Sequence, residues 1–244
     1  MSFNKVIMGC SPFIGAMHFG HRSRLYELDF KNQPENISNI IIDACKNGVE
    51  NLLLKPTEDM LKSYDIVSNE GYKMNIYGIT DCKSFEEDIN IFNDLNANTV
   101  FLSGSFVDEN IDKENYDLLE KNLNIIKDNG FTVGIESCRP FKNTPLIYDS
   151  TIINLFSVYM VVLNKFGYML DCEWFDKENK IIYEENIKKM NKEIIVNRTL
   201  ATGILKPEEA YNYLKNIEYI DGICVGVSNK KEVEETFNVI NKYI

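Results

Sequence analysis

Short apolar runs alternate with amphipathic stretches from one end of the chain to the other. The runs cover residues 5–9, 51–54, 74–79, 99–102, 132–135, 160–163, 193–196 and 222–225. Each is nearly all apolar rather than alternating, which marks a parallel strand covered on its outer face by helices. The stretches between them carry helix signals. Residues 36–46 stop at Asn47-Gly48, where glycine takes the left-handed turn that ends a helix. Ser84 precedes Glu87 at capping-box spacing and leads into Ile89-Asn90-Ile91-Phe92. Residues 116–127 close on Asn129-Gly130, Pro207 opens a helix where its missing N–H costs nothing, and Asn229 with Glu232 opens the last.

Eight strands alternating with seven or eight helices predict parallel βαβ units closed as one (β/α)8 barrel spanning residues 1–244. An open doubly wound sheet would place a glycine-rich turn after its first strand. Here Gly9-Cys10-Ser11-Pro12-Phe13-Ile14-Gly15 lacks the G-x-G-x-x-G spacing. The longest irregular stretches are expected at 11–34, after the first strand, and 137–149, after the fifth. Both leave the C-terminal end of a strand, the end at which such barrels carry function.

Charge and composition narrow the partners. The 244 residues hold 37 acidic and 26 basic side chains, a net charge of −11. Nucleic acid is excluded as a partner, because phosphate contacts need clustered Lys and Arg. The acids are spread along helical stretches and read as solvated faces. No apolar run approaches the roughly 20 residues that cross a bilayer, and the start has no signal-peptide layout. The expectation is a soluble cytoplasmic protein with no membrane partner. Six cysteines stand singly, with neither a C-x-x-C pair nor zinc-type Cys/His spacing, so they read as reduced thiols and no metal is expected.

Candidate chemistry follows the strand ends. After the first strand come His18, His21, Arg22 and Arg24, a pair of proton-transfer groups beside anion-binding arginines. Lys55 ends the second strand, where it can bind an anion or form a Schiff base, and Asp81 follows the third. Glu136 ends the fifth strand. A carboxylate so close to apolar surroundings needs a partner, and Lys55, Arg139 or Arg198 is expected to supply it. Cys138 is a weaker nucleophile candidate, since the sequence places no base beside it. Asn164-Lys165 follow the sixth strand, and Lys165 is a second candidate Schiff-base lysine. Arg198 is an anion clamp. The turns Thr199–Gly203 and Gly226-Val227-Ser228-Asn229, each leading to a helix N-terminus, form a phosphate corner.

These last two segments resemble the aldo-keto reductase superfamily. Ile194 to Leu205 is similar to that family's seventh strand and the turn beside a nicotinamide cofactor's pyrophosphate. Gly222 to Asn229 with Glu232-Val233-Glu234-Glu235 is similar to its eighth strand and closing helix, which hold the adenosine end. Met8 to Gly15 and Ala44 to Val49 resemble its opening strand and the end of its first helix. The resemblance implies NADPH or NADH at this corner. The family's catalytic Asp, Tyr, Lys and His do not carry over: the second strand ends in Leu-Leu-Lys-Pro, the third in Thr80-Asp81 and the fourth in Ser103-Gly104, and the expected Tyr is missing.

The sequence therefore points to an enzyme acting on a small anionic or phosphorylated metabolite. Lys55, Glu136, His18 and His21 are its catalytic candidates. Arg22, Arg198, Thr199, Gly203, Gly226, Ser228 and Asn229 are its candidate ligand contacts. A nicotinamide-dependent oxidoreductase with a replaced proton donor and a non-catalytic ligand-binding barrel are the alternatives. Substrate and oligomeric state are not legible.

Overall fold

The computed structural model describes residues 4–243. All eight apolar runs are strands: β1 Lys5–Met8, β2 Asn51–Leu54, β3 Asn75–Thr80, β4 Thr99–Leu102, β5 Thr132–Ser137, β6 Val158–Val162, β7 Glu193–Asn197 and β8 Gly222–Val225. They pair in parallel in chain order, and β8 closes on β1 with Ile7 opposite Cys224. The fold is a (β/α)8 barrel. Every residue of β4, β6 and β8 is buried, as a strand with both faces covered requires. Glycine makes room for large rings: a Cβ on Gly134 would lie 2.4 Å from the Phe101 ring, and one on Gly78 would lie 2.6 Å from Phe92.

The helices are α1 His21–Phe30, α2 Pro34–Lys46, α3 Glu58–Asn69, α4 Phe85–Asp94, α5 Gly104–Asp112, α6 Tyr116–Asp128, α7 Pro140–Tyr148, α8 Lys177–Lys189, α9 Pro207–Leu214 and α10 Lys230–Ile240. Two of them correct the sequence reading, because α1 and α7 occupy the stretches expected to be irregular. The apolar residues of α1 are not gathered on one face: Phe30 is buried and Tyr26 packs on Phe19, while Leu25 and Leu28 are exposed. Such a helix leaves no periodic stripe to read. The start of α7 is satisfied from elsewhere, since the Phe141 and Lys142 amides donate to the Asp171 carboxylate at 2.9 and 2.8 Å. The true long irregular segment runs between β6 and α8. Buried Asn164 pins it by donating to the Tyr168 carbonyl and accepting from the Tyr168 amide, both at 2.9 Å. Among the described residues, no helix is long and apolar enough to cross a membrane.

Candidate functional site

The C-terminal ends of the strands open into a cleft of about 720 Å³. Its floor is built from Lys55, Thr80, Ser103, Glu136 and Asn197, each at or just past the end of a strand. Met17, His18, Phe19, Arg22 and Tyr26 cover it from the β1 side, and residues 198–207 form the wall after β7.

Glu136 sits at the centre, but without the expected cation. Lys55 instead pairs with Asp81 at 2.9 Å, Arg139 with Asp112 at 2.7 Å, and Arg198 donates to the Cys138 thiol at 3.1 Å. Glu136 Oε2 accepts the Gly104 amide at the start of α5 (2.8 Å), and Oε1 accepts Asn197 Nδ2 (2.7 Å). Two directed donors, one of them a helix N-terminal amide, replace an ion pair and fix the plane of the carboxylate. The side-chain oxygen of Asn197, Oδ1, is buried without a partner among the described residues. The amide is held this way round because the reverse would set Oδ1 against the carboxylate.

The arginines supply the main electrostatic feature. The chain has four, amid 37 acidic side chains. Arg24 pairs with Glu27, and Arg139 with Asp108 and Asp112. The other two, Arg22 and Arg198, both line the cleft and, among the described residues, bond only neutral groups: Arg22 donates to the Thr202 carbonyl at 3.0 Å, and Arg198 to the Cys138 thiol. The backbone between them is strained. Arg198, Ala201 and Thr202 hold φ of 53°, 48° and 56°, a region costly for residues with a Cβ. At Gly203 φ is 87°, which favours glycine, and the absence of a Cβ lets Arg22 Nη1 lie close, 2.4 Å from where that atom would be. Leu200 and Ala201 are successively right- and left-handed, which turns neighbouring amides to one side as a nest. Among the described residues, the Leu200 and Thr202 amides find no backbone acceptor, while the Ala201 amide between them donates to the Arg198 carbonyl at 2.9 Å.

Burial, and then the charge of Arg198, pushes the His18 pKa from 6.5 down to about 4, so the imidazole is neutral at ordinary pH. Burial likewise raises the Cys138 thiol to about 12 and the Cys10 thiol to about 11. Both stay protonated, which argues against Cys138 as a nucleophile. The Lys55–Asp81 contact suits charge stabilisation better than attack on a carbonyl, and Lys55, Lys83 and hydrogen bonds hold Asp81 below the usual carboxylate range despite burial. Lys165 pairs with Glu209, away from the cleft.

Several candidates fall outside the cleft. His21 lies on the exposed surface of α1, and Ser228 and Asn229 do not line the cavity. The Ser228 amide and Oγ both donate to Glu232 Oε2 at 2.7 and 2.9 Å, and the Asn229 side chain caps α10 by accepting the Glu232 amide at 2.9 Å. Thr199 lines the cleft but spends its hydroxyl on Tyr211 at 3.2 Å. Gly226 is a packing position, where a Cβ would meet Pro12 at 3.0 Å. Asn197, at the end of the seventh apolar run, is a polar strand-end group already visible in the sequence, whereas Tyr26 and the Thr202 carbonyl leave no signal there.

No protein-family model and no curated protein sequence matches the chain. Solved structures do. A protein provisionally designated an aldo-keto reductase from Pseudomonas aeruginosa shares 12% identity at a TM-score of 0.61, covering 97% of this chain and 90% of that one. By fold, this chain is a (β/α)8 barrel similar to that structure. Phosphoribosyl anthranilate isomerase from Thermus thermophilus is similar at a TM-score of 0.54, with 9% identity over 84% of this chain and 94% of that one. A tryptophan synthase α-subunit variant from Pyrococcus furiosus is similar at 0.53, with 12% identity over 99% and 97%. At these identities the likeness concerns the barrel itself.

The corner after β8, where the resemblance places the adenosine end, does not fit an adenosine-bound phosphate such as NADPH carries. Its Ser228 donors are already taken by Glu232, and Glu232 and Glu235 line the cleft there, so a phosphate would meet two carboxylates. The strand-end positions of the family's catalytic set hold Lys55, Asp81 and Ser103 in its place.

Proposed function

We propose that this barrel is an enzyme that binds a small phosphorylated or otherwise anionic metabolite and moves a proton on carbon next to its carbonyl or carboxyl group. The observation that carries the reading is the pair Arg22 and Arg198, without an acidic partner among the described residues of an acid-rich chain, lining the cleft whose floor holds Glu136. An unpaired guanidinium in a partly enclosed site has unmet capacity for an anion, and its planar fork matches carboxylate and phosphate oxygens.

Glu136 is the base in this reading. A carboxylate offers about four lone-pair positions, and the Gly104 and Asn197 donors use two, leaving both oxygens able to face a ligand. Arg198 and Lys55 would stabilise negative charge developing on the substrate oxygen, a term that is large where donors are prearranged. His18, neutral beside Arg198, is a hydrogen-bonding group for the same oxygen rather than a base. Arg22 and the 199–203 turn would hold the distal anion.

The test is solvent exchange. Small phosphorylated and carboxylated metabolites are incubated with the protein in heavy water, and loss of C–H signal is followed by proton NMR. Catalysed exchange is expected with at least one of them, cut roughly 100-fold or more by Glu136→Gln with the fold intact by circular dichroism. Exchange that survives Glu136→Gln, or its absence across the set, overturns the reading and leaves a ligand-binding barrel.

A further inference from the structure

The two acid-free arginines face different ends of the cleft. Arg22 reaches out of α1 to the Thr202 carbonyl and lies against Gly203, at an outer end where Arg22, Gly203 and Lys206 are all exposed. Arg198 runs the other way, across to Cys138 beyond the end of β5, two residues from Glu136. Each guanidinium has five N–H donors, and among the described residues its one hydrogen bond goes to a neutral acceptor.

We propose that the ligand carries two anionic groups, a phosphoryl group at the outer end held by Arg22 and the 199–203 turn, and a carboxylate at the inner end held by Arg198. The class is a phosphorylated carboxylic acid. This assignment rests on the anion-binding reading above and adds the number, kind and order of the charges.

The two ends differ in what they suit. The outer end combines Arg22 and Lys206 with the Leu200 and Thr202 amides of the right-then-left-handed turn, a concave set of donors that matches a tetrahedral dianion. It is open to water, so a doubly charged group keeps part of its hydration. The inner end offers one guanidinium beside the Glu136 carboxylate. A dianion there would be repelled by Glu136, whereas a planar monoanion meets the guanidinium fork edge to edge. Such a carboxylate would set the carbon next to it beside Glu136, the carbon whose hydrogen the proposed base would take. At about 720 Å³ the cleft has room for both groups and a connecting chain.

Isothermal titration at fixed ionic strength with inorganic phosphate, pyrophosphate, glycerol 3-phosphate, glycolate and 2-phosphoglycolate tests this. Pyrophosphate controls for charge without a carboxylate. The expected result is 2-phosphoglycolate binding at least tenfold more tightly than pyrophosphate, glycerol 3-phosphate or glycolate. Arg198→Asn, whose side chain tolerates the left-handed φ at this position, should bring that ratio towards one. Equal affinities for 2-phosphoglycolate and glycerol 3-phosphate, or an advantage that survives Arg198→Asn, would overturn the two-anion assignment while leaving the anion site standing. No binding by any phosphate compound would sink both. If Arg198→Asn fails to fold, the comparison among ligands on the unaltered protein decides alone.

Discussion

His18 couples the roof of the cleft to pH. In the folded protein, burial and then the nearby Arg198 charge hold its pKa at about 4, against 6.5 in the open chain. Between those values the unfolded chain binds a proton that the folded chain refuses. The contribution of His18 to stability is therefore fully present above pH 6.5 and lost as pH falls towards 4. At about 1.36 kcal/mol per pK unit, a gap of that size corresponds to about 3 kcal/mol. The ring is only partly buried, so solvent screening reduces the expected effect to roughly 2 kcal/mol. Urea unfolding of the native protein and of His18→Gln, measured at pH steps from 8 to 4.5, isolates this from the carboxylates common to both. The native protein should lose about 2 kcal/mol more than the variant across the window. Parallel stability curves would refute both the burial and the Arg198 proximity on which the prediction rests.

Three further outcomes follow from the packing. Gly134→Ala drives a methyl to within 2.4 Å of the Phe101 ring and should cost about 1–3 kcal/mol in urea unfolding, with expression at permissive temperature retained. Asp171→Ala removes the carboxylate that receives the first amides of α7; a loss of about 1–2 kcal/mol, with faster amide exchange confined to residues 140–148, is expected. Cys10 and Cys138, with thiols raised to about 11 and about 12 by burial, should resist alkylation at pH 8 until the protein is unfolded, and rapid labelling of the native protein would contradict their protonated state.

The barrel was legible because its signal is local. A parallel strand buried on both faces is written as a continuous apolar run, and all eight runs are strands in the closed sheet. The two helices that lie in stretches expected to be irregular, α1 and α7, lack a local signal. Leu25 and Leu28 point to solvent and dilute the pattern of α1, and α7 borrows its N-terminal acceptor from Asp171. The site divides the same way. Lys55, Glu136, His18, Arg22 and Arg198 all line one cleft, the first two and Arg198 from strand ends and the others from the segment after β1. Their partners are set by three-dimensional proximity that no spacing encodes. Glu136 finds Gly104 32 residues away and Asn197 61 away, and Arg22 finds Thr202 180 away. The α10 corner misled because a Ser-Asn turn before a helix reads as an anion site until Glu232, one turn on, folds back to take the Ser228 donors.

The central claim is that Arg22 and Arg198 have no acidic partner because an anion is theirs to bind. Calorimetric titration of inorganic phosphate tests it most directly when run on the native protein, Arg22→Gln, Arg198→Asn and Arg24→Gln. Arg24 is the control, exposed on the same helix as Arg22 and already paired with Glu27 at 2.8 Å. The account predicts salt-sensitive phosphate binding that Arg22→Gln weakens about tenfold or more, that Arg198→Asn weakens to a lesser degree, and that Arg24→Gln leaves unchanged. Equal weakening by Arg24→Gln, or no binding by the native protein, would contradict it.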